Sequence, residues 1–166
     1  MKWIKILRSA VFMLLVVASY AKAEDALSLK LLERWAATNV ELKPLGEQVK
    51  DFQNTEALKN YSEDPFEILT LSDAKQDELI NAALKERGIY DDVQAVMDEY
   101  DWDNYGEFSR VHMRFSGLYM YKMQQDRGGQ AYAPILEKLQ LTQEDLDFLE
   151  AHWEQMQAAM TQVGSS

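Results

Sequence analysis

The 166-residue chain contains no cysteine. That absence excludes disulfides, thiolate nucleophiles, zinc-thiolate sites and lipid attachment through a thiol. There is no Gly-x-Ser-x-Gly elbow, His-Glu-x-x-His helix or glycine-rich phosphate loop, and the two histidines, His112 and His152, stand in no catalytic motif. Enzyme chemistry therefore has no motif to start from, although 28 acids leave paired-carboxylate hydrolysis as an alternative. Bases are scarce: 17 Lys and Arg give a net charge of −11. Nucleic-acid affinity comes mainly from cations that release counterions from phosphates, so the balance argues against nucleic acid as a partner. No apolar run reaches the ~20 residues of a membrane-spanning helix, and no stretch alternates convincingly as a strand would.

Residues 1–23 have a basic start (Lys2, Lys5, Arg8), an apolar run over 10–18 and the small-x-small end Ala21-Lys22-Ala23. This layout predicts a cleavable secretory signal cut between Ala23 and Glu24. No twin arginine precedes the run, which favours the general secretion route. Removing four bases with the signal leaves 143 residues with 13 bases, 28 acids and a net charge of −15. Such a chain is expected to be periplasmic or secreted and repelled by anionic membranes, with no stable membrane insertion after signal cleavage. Secretion without cysteine fits a bacterial periplasm, and it leaves stability to an apolar core alone.

The full chain is 47% hydrophobic, which is enough to build that core, and its apolar spacing is helical. Ser28 is a good N-cap for a helix carrying Leu31, Leu32, Trp35, Ala36 and Val40, which Pro44 interrupts. A less regular helix is expected from Leu45 to Tyr61, then a short one after Asp64 and Pro65. Ser72 starts the next and Gly88 stops it. Val93, Val96, Met97 and Tyr100 mark a helix before the acidic break Asp101-Trp102-Asp103. A long helix with Phe108, Val111, Phe115 and Leu118 then runs to Asp126, before Gly128-Gly129. Pro134 opens a short helix, and Thr142 to Asp145 reads as a capping box with Asp in place of Glu. One amphipathic stripe follows over Leu146, Leu149, Trp153, Met156, Met160 and Val163. The expected fold is all-α: a single compact multi-helix domain of packed helical hairpins over 24–163, with a frayed tail at 164–166. Trp35, Phe108, Phe115, Leu149 and Trp153 form its expected core.

The sharpest local feature lies between Arg87 and Arg110, where seven acids (Asp91, Asp92, Asp98, Glu99, Asp101, Asp103, Glu107) occur without a Lys or Arg. Clustered carboxylates bind hard cations, and Asp101-x-Asp103-x-Tyr105-Gly106 opens like a calcium loop. The pattern then departs at Tyr105 and again at His112, where a bidentate Glu belongs, so Asp101, Asp103 and Glu107 are weak metal candidates and calcium a weak cofactor candidate. The ordinary role of such acids is to cap amides and complement dipoles at helix starts. His152, Met156 and Met160, spaced by four, suit copper, but Met at core spacing usually fills gaps. Trp102 and Tyr105, at a helix entry, are candidate exposed anchors of a binding surface.

Leu29-Lys30-Leu31-Leu32-Glu33-Arg34-Trp35 and Leu84-Lys85-Glu86-Arg87-Gly88-Ile89-Tyr90, leading through Asp101-Trp102 to Arg110-Val111-His112-Met113-Arg114-Phe115, loosely resemble a group of small helical secreted proteins of Gram-negative bacteria. The resemblance implies a helical fold and an envelope location, and it brings no activity or catalytic residues. The resulting expectation is a non-enzymatic periplasmic interaction or binding protein, adaptor or chaperone-like, with an envelope protein or basic ligand as partner. Its candidate surface comprises Asp98, Glu99, Asp101, Trp102, Asp103 and Tyr105. Calcium binding and envelope hydrolysis are the two alternatives.

Overall fold

A computed structural model of the chain describes residues 26–46, 48, 52–61, 65–126, 136–137 and 139–165. The expected signal, the Gly128-Gly129 stop and the Pro134 start lie outside the described residues. Ser28, in extended backbone, accepts the Leu31 N–H on its Oγ at 3.1 Å and opens α1, Leu29–Leu42. Leu31, Leu32, Trp35, Ala36 and Thr38 form its buried face. Pro44 tightens the end of α1 into a 3-10 turn, Lys43–Leu45.

The expected helix from Leu45 to Tyr61 is not what the described residues form there. They make 3-10 turns at Phe52–Asn54 and Lys59–Tyr61. Buried Thr55 gives one cause: its Oγ1 donates to the Phe52 carbonyl at 2.9 Å, a local bond that competes with the helical ladder. Pro65–Thr70 is also 3-10 rather than α.

α2, Asp73–Glu86, ends at Gly88, whose φ of 71° only glycine adopts without strain. α3, Tyr90–Glu99, and α4, Tyr105–Asp126, follow. α5, Gln143–Ala151, starts with the expected capping box: Thr142 Oγ1 accepts from Asp145 N–H while Asp145 Oδ2 accepts from Thr142 N–H. The stripe expected to continue unbroken is divided at His152, whose backbone leaves the helical region and whose ring packs on Phe148 at 4.9 Å. α6, Trp153–Ser165, is the last helix among the described residues.

These six α-helices, with no strand among the described residues, form a compact all-α bundle. α4 is its centre and packs against α1, α2, α3, α5 and α6, while α1 lies along α6. Trp35 and Phe115, both wholly buried, meet at a ring distance of 5.3 Å, and Phe148 extends the aromatic row. Leu118, Leu149 and Met156 close the core around them. Trp153 is a correction to the expected core: it is half-buried and stacks on Tyr119 at 5.5 Å. Tyr119 and Tyr121 are both half-buried, so neither faces fully outward.

The entry of α4 comes so close to α2 that a Cβ on Gly106 would lie 2.0 Å from Asp77 Oδ1. Glycine there lets Asp77 accept from Arg110 at 2.7 Å and from Asn104 at 3.0 Å, which fixes where α4 begins. No helix among the described residues is long and apolar enough to cross a membrane.

Candidate functional site

α3 turns Val93 and Met97 inward, one turn apart, and that choice sets its outer face. Asp91 and Asp92 in the first turn and Asp98 and Glu99 in the last are all exposed. The first pair complements the positive end of the helix dipole; the second pair opposes the negative end and adds field without helping the helix. Asp98 accepts from Gln94 Nε2 at 2.7 Å. The acidic run continues past the helix in exposed Asp101 and Asp103, and Asp101 takes the left-handed conformation at φ 59°, which Asp tolerates better than most residues.

Trp102 does not serve as an exposed anchor. It is 3% exposed, and its indole N–H donates to Thr38 Oγ1 at 2.9 Å. Thr38 in turn donates to the Arg34 carbonyl at 2.8 Å, so both groups are satisfied inside the protein. The Arg34 guanidinium lies 3.6 Å from the centroid of the Trp102 ring and donates to the Asp101 carbonyl at 3.3 Å. Cation and indole attract, and the flat guanidinium caps the ring against water.

Glu107, a metal candidate in the sequence, is used locally. It accepts the Asp103 N–H at 2.7 Å, its own N–H donates to Asn104 Oδ1 at 3.0 Å, and Arg34 lies 3.7 Å away. The carboxylate thus holds the entry of α4 and is drawn to Arg34, while Asp101 and Asp103 stay exposed in the loop. Among the described residues no group of three or more His, Asp or Glu is arranged to hold a metal ion. Met156 is buried in the core, where a gap-filling side chain belongs.

Tyr105 is half-buried and packs on Phe108 at 5.6 Å. Burial raises its phenol pKa above the ordinary value, so it remains a hydrogen-bond donor. One stripe further along α4, His112 accepts the Trp35 indole N–H on Nδ1 at 3.2 Å. Burial lowers the pKa of the imidazole, which is therefore neutral at pH 7 with its proton on Nε2.

No protein-family model, curated protein or solved structure matches the chain. The residues themselves must carry the functional reading. The sequence brought together Asp98 to Tyr105 as one surface; the fold keeps the carboxylates outside and takes Trp102 inside. Arg34, Thr38 and Asn104 were missed. The one signal available for the first two is their i, i+4 spacing beside Trp35 on α1, which shows a shared face but not what meets it.

Proposed function

We propose that the chain is a non-enzymatic interaction protein of the periplasm that engages a basic partner through the outer face of α3 and the loop behind it. The observation that carries this reading is the run of six exposed carboxylates, Asp91, Asp92, Asp98, Glu99, Asp101 and Asp103, with no Lys or Arg anywhere in 88–109. Arg34 is committed to Trp102, Asp101 and Glu107, and Lys85, whose ammonium lies 4.6 Å over the Tyr90 ring, is one cation at the start of α3 against the six carboxylates. The buried Trp102 stiffens the loop from beneath, which keeps Asp101 and Asp103 close to α3 at little further entropic cost on binding. A face of this kind steers a cationic partner and sets its orientation, with affinity that falls as salt rises.

The test is binding of a labelled polylysine peptide to two variants of equal charge. Replacing Asp91, Asp92 and Asp98 by Asn and Glu99 by Gln should weaken binding about tenfold or more, as expected when several charge contacts are lost. Replacing Glu144, Asp147, Glu150 and Glu154, which are exposed on α5 and α6, by the corresponding amides should leave it near the parent value. Equal weakening in both variants would mean that net charge alone attracts the peptide, and the proposed face would be wrong.

A further inference from the structure

A cleft of about 260 Å³ opens where the end of α1 passes α4 and the last turns of α6. Tyr105, Ser109 and His112 line it from one stripe of α4, at i, i+4 and i+7. Asn39 faces them from α1 and Lys43 from the 3-10 turn that follows it, and Leu42, Phe108 and Val163 supply apolar wall. In a chain of 28 acids, no Asp or Glu is among the described residues that line this cleft.

The polar atoms here are mostly donors. His112 Nδ1 is taken by the Trp35 N–H, so the neutral ring has a hydrogen to give on Nε2. Tyr105 and Ser109 carry hydroxyls, and Asn39 already donates to the Trp35 carbonyl at 2.8 Å, which leaves its side-chain oxygen as the cleft's clearest acceptor. Lys43 is exposed and has no ion-pair partner among the described residues. The C-terminal end of α1 contributes about half a negative charge, less than the full positive charge of Lys43.

We infer that this cleft binds a small monocarboxylate with an apolar body, its carboxylate between Lys43 and the donors of His112 and Tyr105 and its body against Leu42, Phe108 and Val163. One cation balances one carboxylate. The volume falls just under the roughly 300 Å³ at which pockets for drug-sized molecules begin, which limits the occupant to a compact molecule. This site is separate from the acidic face on α3 and stands without it.

Phenylacetate and its neutral analogue phenylacetamide decide the matter, titrated into the full chain and followed by amide and imidazole NMR. Phenylacetate should give saturable shifts at His112, Tyr105 and Asn39, and the amide should bind at least about tenfold more weakly, having lost its charge-assisted contacts. Lys43 is exposed, so Lys43→Ala should fold; it should bring phenylacetate down to the level of the amide and leave the amide unchanged. His112→Gln keeps an acceptor for Trp35 and a donor for the carboxylate, and it should retain most of the binding that His112→Leu loses. Equal affinity for acid and amide, shifts that map elsewhere, or no saturable shift at roughly 10 mM would overturn the assignment.

Discussion

At the scale of single residues, His112 couples the core to pH. Its Nδ1 accepts from the buried Trp35 indole N–H, so protonating that nitrogen would set one N–H against another, and burial leaves the resulting charge poorly solvated. Burial lowers the folded-state pKa of His112 below that of the unfolded chain. The unfolded state therefore binds the proton more readily, and stability falls as pH drops below about 6.5 toward the lowered folded value. The loss is bounded by about 1.4 kcal/mol per pH unit for one group. Urea denaturation at about pH 7.5 and about pH 5.5 should show this loss in the parent and a smaller one in His112→Gln, which has no proton to gain. An identical pH response in both would show that His112 is not the group responsible. Nothing in the sequence around His112 reveals the coupling, because its partner is 77 residues away. Trp102 was misplaced on the surface for the same reason. Its acidic neighbours read as solvent, while Thr38 and Arg34, which bury it, lie 64 and 68 positions earlier.

At the scale of elements, the legible helices were those whose signals are local. α1, α3 and α4 each bury residues at steps of three and four, and α5 starts at the capping box read from Thr142 and Asp145. His152 was invisible because the apolar spacing continues in step across the break. Asp145 does more than cap, since it is 2% exposed and accepts from Arg114 of α4 at 2.6 Å, which ties α5 to the central helix. Losing a cap alone costs about 1 kcal/mol, whereas stranding one partner of a buried ion pair costs about 3–5 kcal/mol. Thr142→Ala should therefore destabilise the protein by about 1 kcal/mol and Asp145→Ala by about 3 kcal/mol or more in urea unfolding. The double variant Asp145→Ala with Arg114→Met should lose less than the two single losses summed, because both substitutions remove the same ion pair. If the two single variants were equally destabilised, Asp145 would act only as a cap.

At the scale of the whole molecule, the governing quantity is the surplus of acids, which sets repulsion against pairing. The pairs Lys59–Glu56 and Lys75–Glu78 are exposed and contribute little, and Arg114–Asp145 is sheltered from screening. Added salt should therefore relieve repulsion more than it weakens attraction. The melting temperature of the parent should rise between about 0.01 M and about 0.15 M NaCl, as the screening length shrinks from about 30 Å to about 8 Å. α3 separates this global term from a local one. Asp91 and Asp92 lie at its start, Asp98 and Glu99 at its end, so neutralising either pair removes the same net charge. The two pairs differ chiefly in their helix-dipole contribution, which favours acids at the start and opposes them at the end, since the Gln94 hydrogen bond to Asp98 can still be accepted by the Asn oxygen that replaces it. Both double-amide variants should respond less to salt than the parent. Asp98→Asn with Glu99→Gln should melt above the parent at low salt, and Asp91→Asn with Asp92→Asn should melt below that variant. A parent melting temperature that falls with salt would show that ion pairs outweigh repulsion; equal melting of the two variants would show that the dipole contributes nothing at α3.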